Sequence, residues 1–271
     1  MSQNLTAQVV IGAQFGDEGK GRMTAAYAAA VGCDGMVVRF NGGAQAGHTV
    51  VTPEGRRHVF SHVGSGTFAG AATFLSRFFV SHPLLFLKEW ETLTAQGVEP
   101  IVYVDPGSPV TTPYDMMLNQ IVEQERGANR HGSCGVGFGE TLERHLTPDY
   151  ALTVGDLADA AALTTRLEAI RRCYAPARLA RLGFGAAAAQ QKSLFLSDAI
   201  LEHFVADGRR FLDSVTVMDA QAALSGRRLL FEGAQGLLLD QERGCFPHVT
   251  RSHTGLRNVL TLADEWGLEQ L

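Results

Sequence analysis

The sequence has no surplus of positive charge: 23 Lys and Arg stand against 28 Asp and Glu, a formal net charge of -5. Broad electrostatic adhesion to nucleic acid is thereby excluded, because it needs excess Lys and Arg to displace counterions from phosphates. A small anion held locally stays open. Cysteine is scarce and scattered: Cys33, Cys134, Cys173 and Cys245 form no C-x-x-C pair, which favours free thiols over disulfides or zinc. No apolar run approaches the roughly 18 residues that a spanning helix needs. The opening "MSQNLTAQVV" lacks a basic region before its short apolar run, so it reads as neither signal nor transit peptide. No repeat, low-complexity linker or charge run divides the chain. The expectation is a cytoplasmic protein with no membrane or nucleic-acid partner. With 271 residues, 45% of them hydrophobic, it is read as a single α/β domain over 1–271.

What is present is strand and helix in alternation. Residues 7–12, "AQVVIG", read as a buried strand, 22–32 as a helix ending at Gly32, and 35–40, "GMVVRF", as a second strand. Strand, loop, helix, strand is the βαβ pattern, which implies a mostly parallel central sheet flanked by helices. "TPEG" supplies a turn for a hairpin over 49–63. A helix starting near Pro83, a strand in "EPIVYVDP" and a helix in "YDMMLNQIVEQERG" follow. Residues 156–174 and 194–224 read as helices, 180–192 as helix or surface loop, "RRLLFEGAQG" as a strand running into a loop, and 256–271 as a last helix.

Four loops placed after strands carry glycine together with polar groups: 12–21, 41–49, 131–140 and 232–254. In parallel α/β sheets such loops line the ligand crevice. The first, "IGAQFGDEGKGR", is not a strict Walker A, since Gln14 replaces its first glycine and Gly21 its hydroxyl. Gly16, Gly19 and Gly21 would still let backbone N–H groups face an anion, with Lys20 as a point charge and Asp17 as a candidate metal ligand. The bland alternative is a tight turn. In the second loop His48 is either structural or a proton donor to developing charge, and Thr49 either contacts a phosphate or begins the hairpin strand.

"GAQFGDEGKGR" and "GGAQAGHT" together resemble adenylosuccinate synthetase, and "VGDL" at 154–157, "FEGAQGLLLD" and "PHVTRSHT" extend the resemblance in the same order over nearly the whole chain. The resemblance implies a P-loop-NTPase-like fold and a two-step ligation. GTP phosphorylates the 6-oxygen of IMP, and the amino group of L-aspartate then displaces that phosphate to give adenylosuccinate. On this reading Asp17 is the base that removes the N1 proton and also a Mg2+ ligand, with the Gly47 carbonyl in the metal shell. His48 stabilises and protonates the oxygen region. Gly16, Glu18, Gly19, Lys20, Gly21 and Thr49 hold the donor phosphates. Gln235 meets the base, or braces its loop, and Thr250 meets the 5'-phosphate. A homodimer is implied, with an arginine reaching across from the other subunit; Arg144 is the nearest candidate.

Several positions depart from the family pattern. Ser133 and Cys134 stand where two phosphate-contacting threonines are usual, and Gln45 where an asparagine contacts IMP. Ser133 can substitute chemically, whereas a thiol is a weak donor. The family's C-terminal portion, with its aspartate and guanine contacts, is missing. The open sheet edge this would leave favours a piece of a longer protein; the other reading is a shortened relative. Two further readings stand beside IMP ligation. One is a dGMP–aspartate ligase with ATP or GTP as donor, although Asp17 speaks for IMP; the other is a nucleotide-binding remnant without turnover.

Overall fold

The computed structural model describes residues 7–268 and 270–271. Residues 1–6 of the opening segment therefore lie outside the described residues. In chain order the strands are β1 (Ala7–Val10), β2 (Gly35–Arg39), β3 (His48–Val51), β4 (Arg57–Phe60), β5 (Ala72–Leu75), β6 (Val102–Val104), β7 (Thr216–Val217) and β8 (Arg228–Glu232). The helices are α1 (Lys20–Val31), α2 (Pro83–Ala95), α3 (Pro113–Arg126), α4 (Phe138–His145), α5 (Ala160–Ala169), α6 (Ala175–Arg181), α7 (Gly185–Gln190), α8 (Lys192–Phe195), α9 (Asp198–Ser214), α10 (Ala220–Leu224) and α11 (Arg257–Trp266).

Six strands make one sheet in the order β1-β8-β2-β5-β6-β7, and every pairing in it is parallel. The parallel sheet expected from the βαβ pattern is therefore present, with one refinement. β1 and β2 are not neighbours, because β8, distant in sequence, lies between them and pairs with both. The reason is chemical. "RLLFE" is apolar at alternate positions on both faces, as a strand covered on both sides must be. Met36, Val38, Leu229 and Phe231 pack with α10 and α11, while Val37 and Leu230 pack on the other face with Ala28 of α1. A larger cluster joins β5 and β6 to α2, α3, α5 and α9.

The hairpin β3–β4 stands apart from the sheet and turns at Thr52–Gly55. α3 begins with Pro113 and a full capping box, Thr112 with Asp115, a strong local start signal. Other local readings are corrected. β5 was not foreseen, since "ATFL" offers four residues, all buried, and no alternation. The third glycine-rich stretch is already α4 from Phe138. Residues 156–174 divide into a 3-10 turn, α5 and a π-helical turn over Ile170–Tyr174; 194–224 divide into parts of α8, α9, β7 and α10.

Candidate active site

Because β1, β8 and β2 are adjacent and parallel, their C-terminal ends deliver the first, fourth and second loops to one edge of the sheet. The first and fourth loops touch backbone to backbone. Leu237 N–H donates to the Gly12 carbonyl at 3.0 Å and Leu238 N–H to that of Gln14 at 2.9 Å. A Cβ on Gly16 (φ 112°) would lie 2.8 Å from the backbone of Gln235, so glycine is required there by both conformation and space. Gln235 itself has φ 58°, the only positive φ outside glycine among the described residues. A left-handed non-glycine residue costs roughly 1–3 kcal/mol and tends to mark a functional position. Its Oε1 is buried without a hydrogen-bond partner, as are both amide atoms of Gln45.

The first loop ends at Gly19 (φ 82°), and α1 starts at Lys20 with no side-chain cap, which leaves its first N–H groups for an anion. Lys20 is buried, and its Nζ donates to the Gly16 carbonyl at 2.6 Å. Burial lowers its pKa, against the opposing pull of Glu18, Glu232 and Asp17. Gly21 serves packing: a Cβ there would sit 2.7 Å from His48 Cβ. Glu18 departs from the phosphate-binding expectation. Its carboxylate accepts from the N–H groups of Gln14 and Gly16, the latter at 2.9 Å, and braces the loop from within. A second carboxylate oxygen facing those N–H groups competes with a phosphate rather than greeting it.

His48 is buried at the start of β3, and its Nδ1 lies 2.8 Å from Oε1 of Glu232, the last residue of β8. Glu232 is fully buried; its other oxygen accepts from Ser65 N–H at 3.1 Å and lies 4.0 Å from the Arg39 guanidinium. Burial alone would push this carboxyl up, but His48 and Arg39 bring it down to about 2. The carboxylate therefore fixes the ring with Nδ1 as donor, and Nε2 has no hydrogen-bond partner among the described residues. Asn41 adds a reciprocal clamp, accepting from Ala234 N–H at 2.8 Å and donating to its carbonyl at 3.0 Å. Sequence reasoning passed over Glu232, Asn41 and Ser65, although Glu232 lies inside the quoted "FEGAQGLLLD" and Asn41 opens the second loop.

A cavity of about 510 Å³ opens beside these loops and brings together Gln45, Ser133, Cys134, Gln235 and Thr250 from three loops far apart in sequence. Arg126 and Arg251 also line it and supply cations the sequence reading did not name. Its third-loop wall is held by Glu123, which accepts from the N–H groups of His131, Gly132 and Ser133 at 3.2, 2.7 and 3.0 Å. Ser133 Oγ accepts from Asn119 at 2.7 Å, while Cys134 is exposed. Thr49 is not part of this cavity. It lines another, of about 740 Å³, between α1 and the hairpin, with Arg22 and Ser65.

Arg144 is a correction. It is wholly buried, grips Asp115 through Nε and Nη2 at 2.9 and 2.8 Å, and donates to the carbonyls of Tyr150 and Val110. With its donors engaged inside α3 and α4, it cannot reach into another subunit. The signal that the sequence offered was only nearness to the third loop.

For Mg2+ the donor set is sparse but suitable. Among the described residues no cluster of three or more His, Cys, Asp or Glu side chains is placed to hold a metal ion. Asp17 is exposed, and among the described residues no hydrogen bond or ion pair engages its carboxylate. Mg2+ commonly takes one or two carboxylates and completes its shell from substrate phosphates and water, so Asp17 with the exposed Gly47 fits a phosphate-held ion and not an all-protein cage.

The family profile described as adenylosuccinate synthetase matches residues 9–265. The chain belongs to the adenylosuccinate synthetase family. Among its relatives, the adenylosuccinate synthetase of Teredinibacter turnerae is 34% identical over 250 residues, 91% of this chain and 56% of that protein. That of Haloarcula marismortui is 33% identical over 255 residues, 90% and 54%. The chain thus spans about half the length of the curated relatives it matches. The fold is that of a fully ligated adenylosuccinate synthetase from Plasmodium falciparum (TM-score 0.71, 19% identity, 96% of this chain and 58% of that one). It is also that of the cyanophage S-2L succinoaminodeoxyadenylate synthetase bound to dGMP and dATP (TM-score 0.61, 19% identity, 98% and 61%). Both confirm the α/β architecture that the family implied. No helix among the described residues is long and apolar enough to cross a membrane.

Proposed function

We propose that this chain carries the nucleotide-handling part of a purine-biosynthetic C–N ligase that joins L-aspartate to IMP at the expense of GTP, through 6-phosphoryl-IMP, and yields adenylosuccinate. The observation that carries the reading is the convergence of Gln45, Ser133, Cys134, Gln235 and Thr250 on one cavity. Behind it, the uncapped start of α1 and a carboxylate-oriented His48 serve the adjoining phosphate chemistry. IMP lies in the cavity, its base read by the unpartnered amides of Gln235 and Gln45 and its 5'-phosphate by Ser133 and Thr250. Cys134 contributes little as a donor. Gly16, Gly19, Lys20 and Gly21 present the donor phosphates. Thr49, lining a separate cavity, and Glu18, committed to its own loop, take lesser parts.

Asp17 takes the N1 proton of the purine and pushes electron density onto O6. His48, held by Glu232 through Nδ1, directs Nε2 at the oxygen as charge develops. Asp17 and the Gly47 carbonyl would hold Mg2+, which would supply charge neutralisation for phosphoryl transfer. Aspartate and guanine would be met by surfaces beyond those described. A homodimer in the cytoplasm, with neither membrane nor nucleic-acid partner, completes the reading; an arginine other than Arg144 must then cross the dimer.

The test is aspartate-dependent phosphate release and adenylosuccinate formation with IMP, GTP and Mg2+. Turnover supports ligation; IMP binding without turnover leaves a nucleotide-binding remnant. A second reading, a dGMP–aspartate ligase with ATP or GTP as donor, draws on the longer amide of Gln45 and on the fold shared with the dGMP-bound cyanophage protein. Side-by-side assays of IMP and dGMP decide it, because a preference for dGMP would overturn the role given to Asp17.

A further inference from the structure

A cavity of about 480 Å³ lies between the π-helical turn Ile170–Tyr174 and the short helices α7 and α8, and shares no residue with the nucleotide cavity. Three cationic side chains line it, Arg171, Arg172 and Lys192, and no acidic one does. The rest of the wall is apolar, with Pro176, Phe195 and Leu196 prominent. The π turn is the local cause. Interrupting the α5–α6 helix with a wider turn places two consecutive arginines at one concavity, and such turns recur at functional sites.

The charges there do not balance. Arg171, only 1% exposed, gives Nε to Glu168 at 2.9 Å and Nη2 to Asp198 at 2.7 Å, and the buried hydroxyl of Tyr114 in the core lies beside its remaining Nη1 edge. Arg172 shares Glu168 at 2.6 Å, and Lys192, exposed, forms no ion pair among the described residues. Three cations thus face two carboxylates, and both carboxylates lie outside the cavity wall.

We propose that this cavity binds a small amphipathic monoanion: a carboxylate or sulfonate placed at Arg172 and Lys192, with an apolar body against Phe195 and Leu196. One surplus positive charge suits a monoanion and not a polyphosphate. The volume is that of a small-molecule site, not of a protein-docking groove. The inference is independent of the nucleotide reading.

The test uses the whole chain with 8-anilinonaphthalene-1-sulfonate as fluorescent reporter and octanoate, octanol and inorganic phosphate as competitors. The expected result is saturable 1:1 reporter binding, displaced by octanoate at least tenfold more effectively than by octanol or phosphate. In the R172Q/K192Q variant, octanoate should bind about tenfold more weakly, as two part-exposed charge contacts allow. In Ala188→Trp, which fills the cavity and keeps every charge, octanoate should no longer displace the reporter. Melting temperature and IMP binding should stay at wild-type values in both variants. Equal competition by octanol or phosphate, or undiminished octanoate binding in either variant, would overturn the proposal.

Discussion

Two buried glutamates, one beside a single histidine and one beside two, invite comparison. Glu232 at the end of β8 meets His48, Ser65 N–H and Arg39. Glu89 in α2 meets Ser61 through N–H and Oγ at 2.9 and 2.6 Å, His62 N–H at 2.7 Å, and the rings of His62 and His58 at 3.4 and 3.6 Å. Both are held below the ordinary carboxylate range for the same reason: burial pushes up, and surrounding donors and imidazoles pull down further. They differ in what is left over. Around Glu89 the imidazoles are turned inward: His82 N–H donates to His62 Nε2 at 3.2 Å, which sends the Nδ1 proton toward Glu89, and His58 Nε2, 3.6 Å from the carboxylate, is buried without a hydrogen-bond partner. Around Glu232 one imidazole nitrogen, His48 Nε2, stays uncommitted at the edge where the loops meet. Similar chemistry is structural in one place and available in the other, and what distinguishes them is where the spare nitrogen lies: sealed beside Phe60 and Phe68 at His58, at the loop edge at His48.

Breaking Glu89 should have the largest effect on the fold. Glu89→Ala leaves Ser61 and His62 without their acceptor and should cost about 3–5 kcal/mol, read from denaturant unfolding midpoints. Glu232→Gln should instead act chiefly on chemistry. Turnover should fall by ~100-fold or more while the Kd for IMP moves little, and His48→Asn added to it should cost little more, since the two act as a unit.

Acid separates the regions further. His82, which accepts Leu85 N–H at the start of α2, is held at about 3 by burial and by His62. His145 is held at about 4 by burial and by Arg144. Both folded values lie below the unfolded one, near 6.5, so the unfolded chain binds the extra protons. Their contribution is complete above pH 6.5 and is lost as the pH falls toward 4 and 3, at up to ~2–3 kcal/mol per pH unit while both titrate. The Glu232 contribution goes later, below about pH 4.5 and down through about 2. Melting curves from pH 7 to 3 should show the earlier loss, and His82→Gln should flatten it. The smallest effect is expected at His58, which is 3.6 Å from Glu89 and packs edge-on against Phe60. His58→Phe keeps that packing and should cost only about 1 kcal/mol in the same unfolding assay.

Much of this was legible in the chain. The βαβ opening, the hairpin at "TPEG" and the caps of α3 are local, written in patterns of two and of 3.6 and in turn chemistry. The family motifs named loops that the sheet brings to one edge, and five of the residues they named for the purine nucleotide line one cavity. β5 was not legible, because four buried residues carry no period. Nor was the fate of Arg144: whether an arginine reaches outward or buries itself depends on Asp115 and two carbonyls that sequence spacing does not place.

By itself, then, the sequence determined the layer architecture and the family, since these rest on short-range periodicity and on motifs read in order. Tertiary structure alone decided that β8 inserts between β1 and β2, and with it that Glu232 stands behind His48. It also decided that Glu18 braces its own loop in "GDEGKG" while Asp17 faces solvent. Strand order is fixed by which apolar faces can be covered together, a condition on the whole chain that no stretch of it expresses alone.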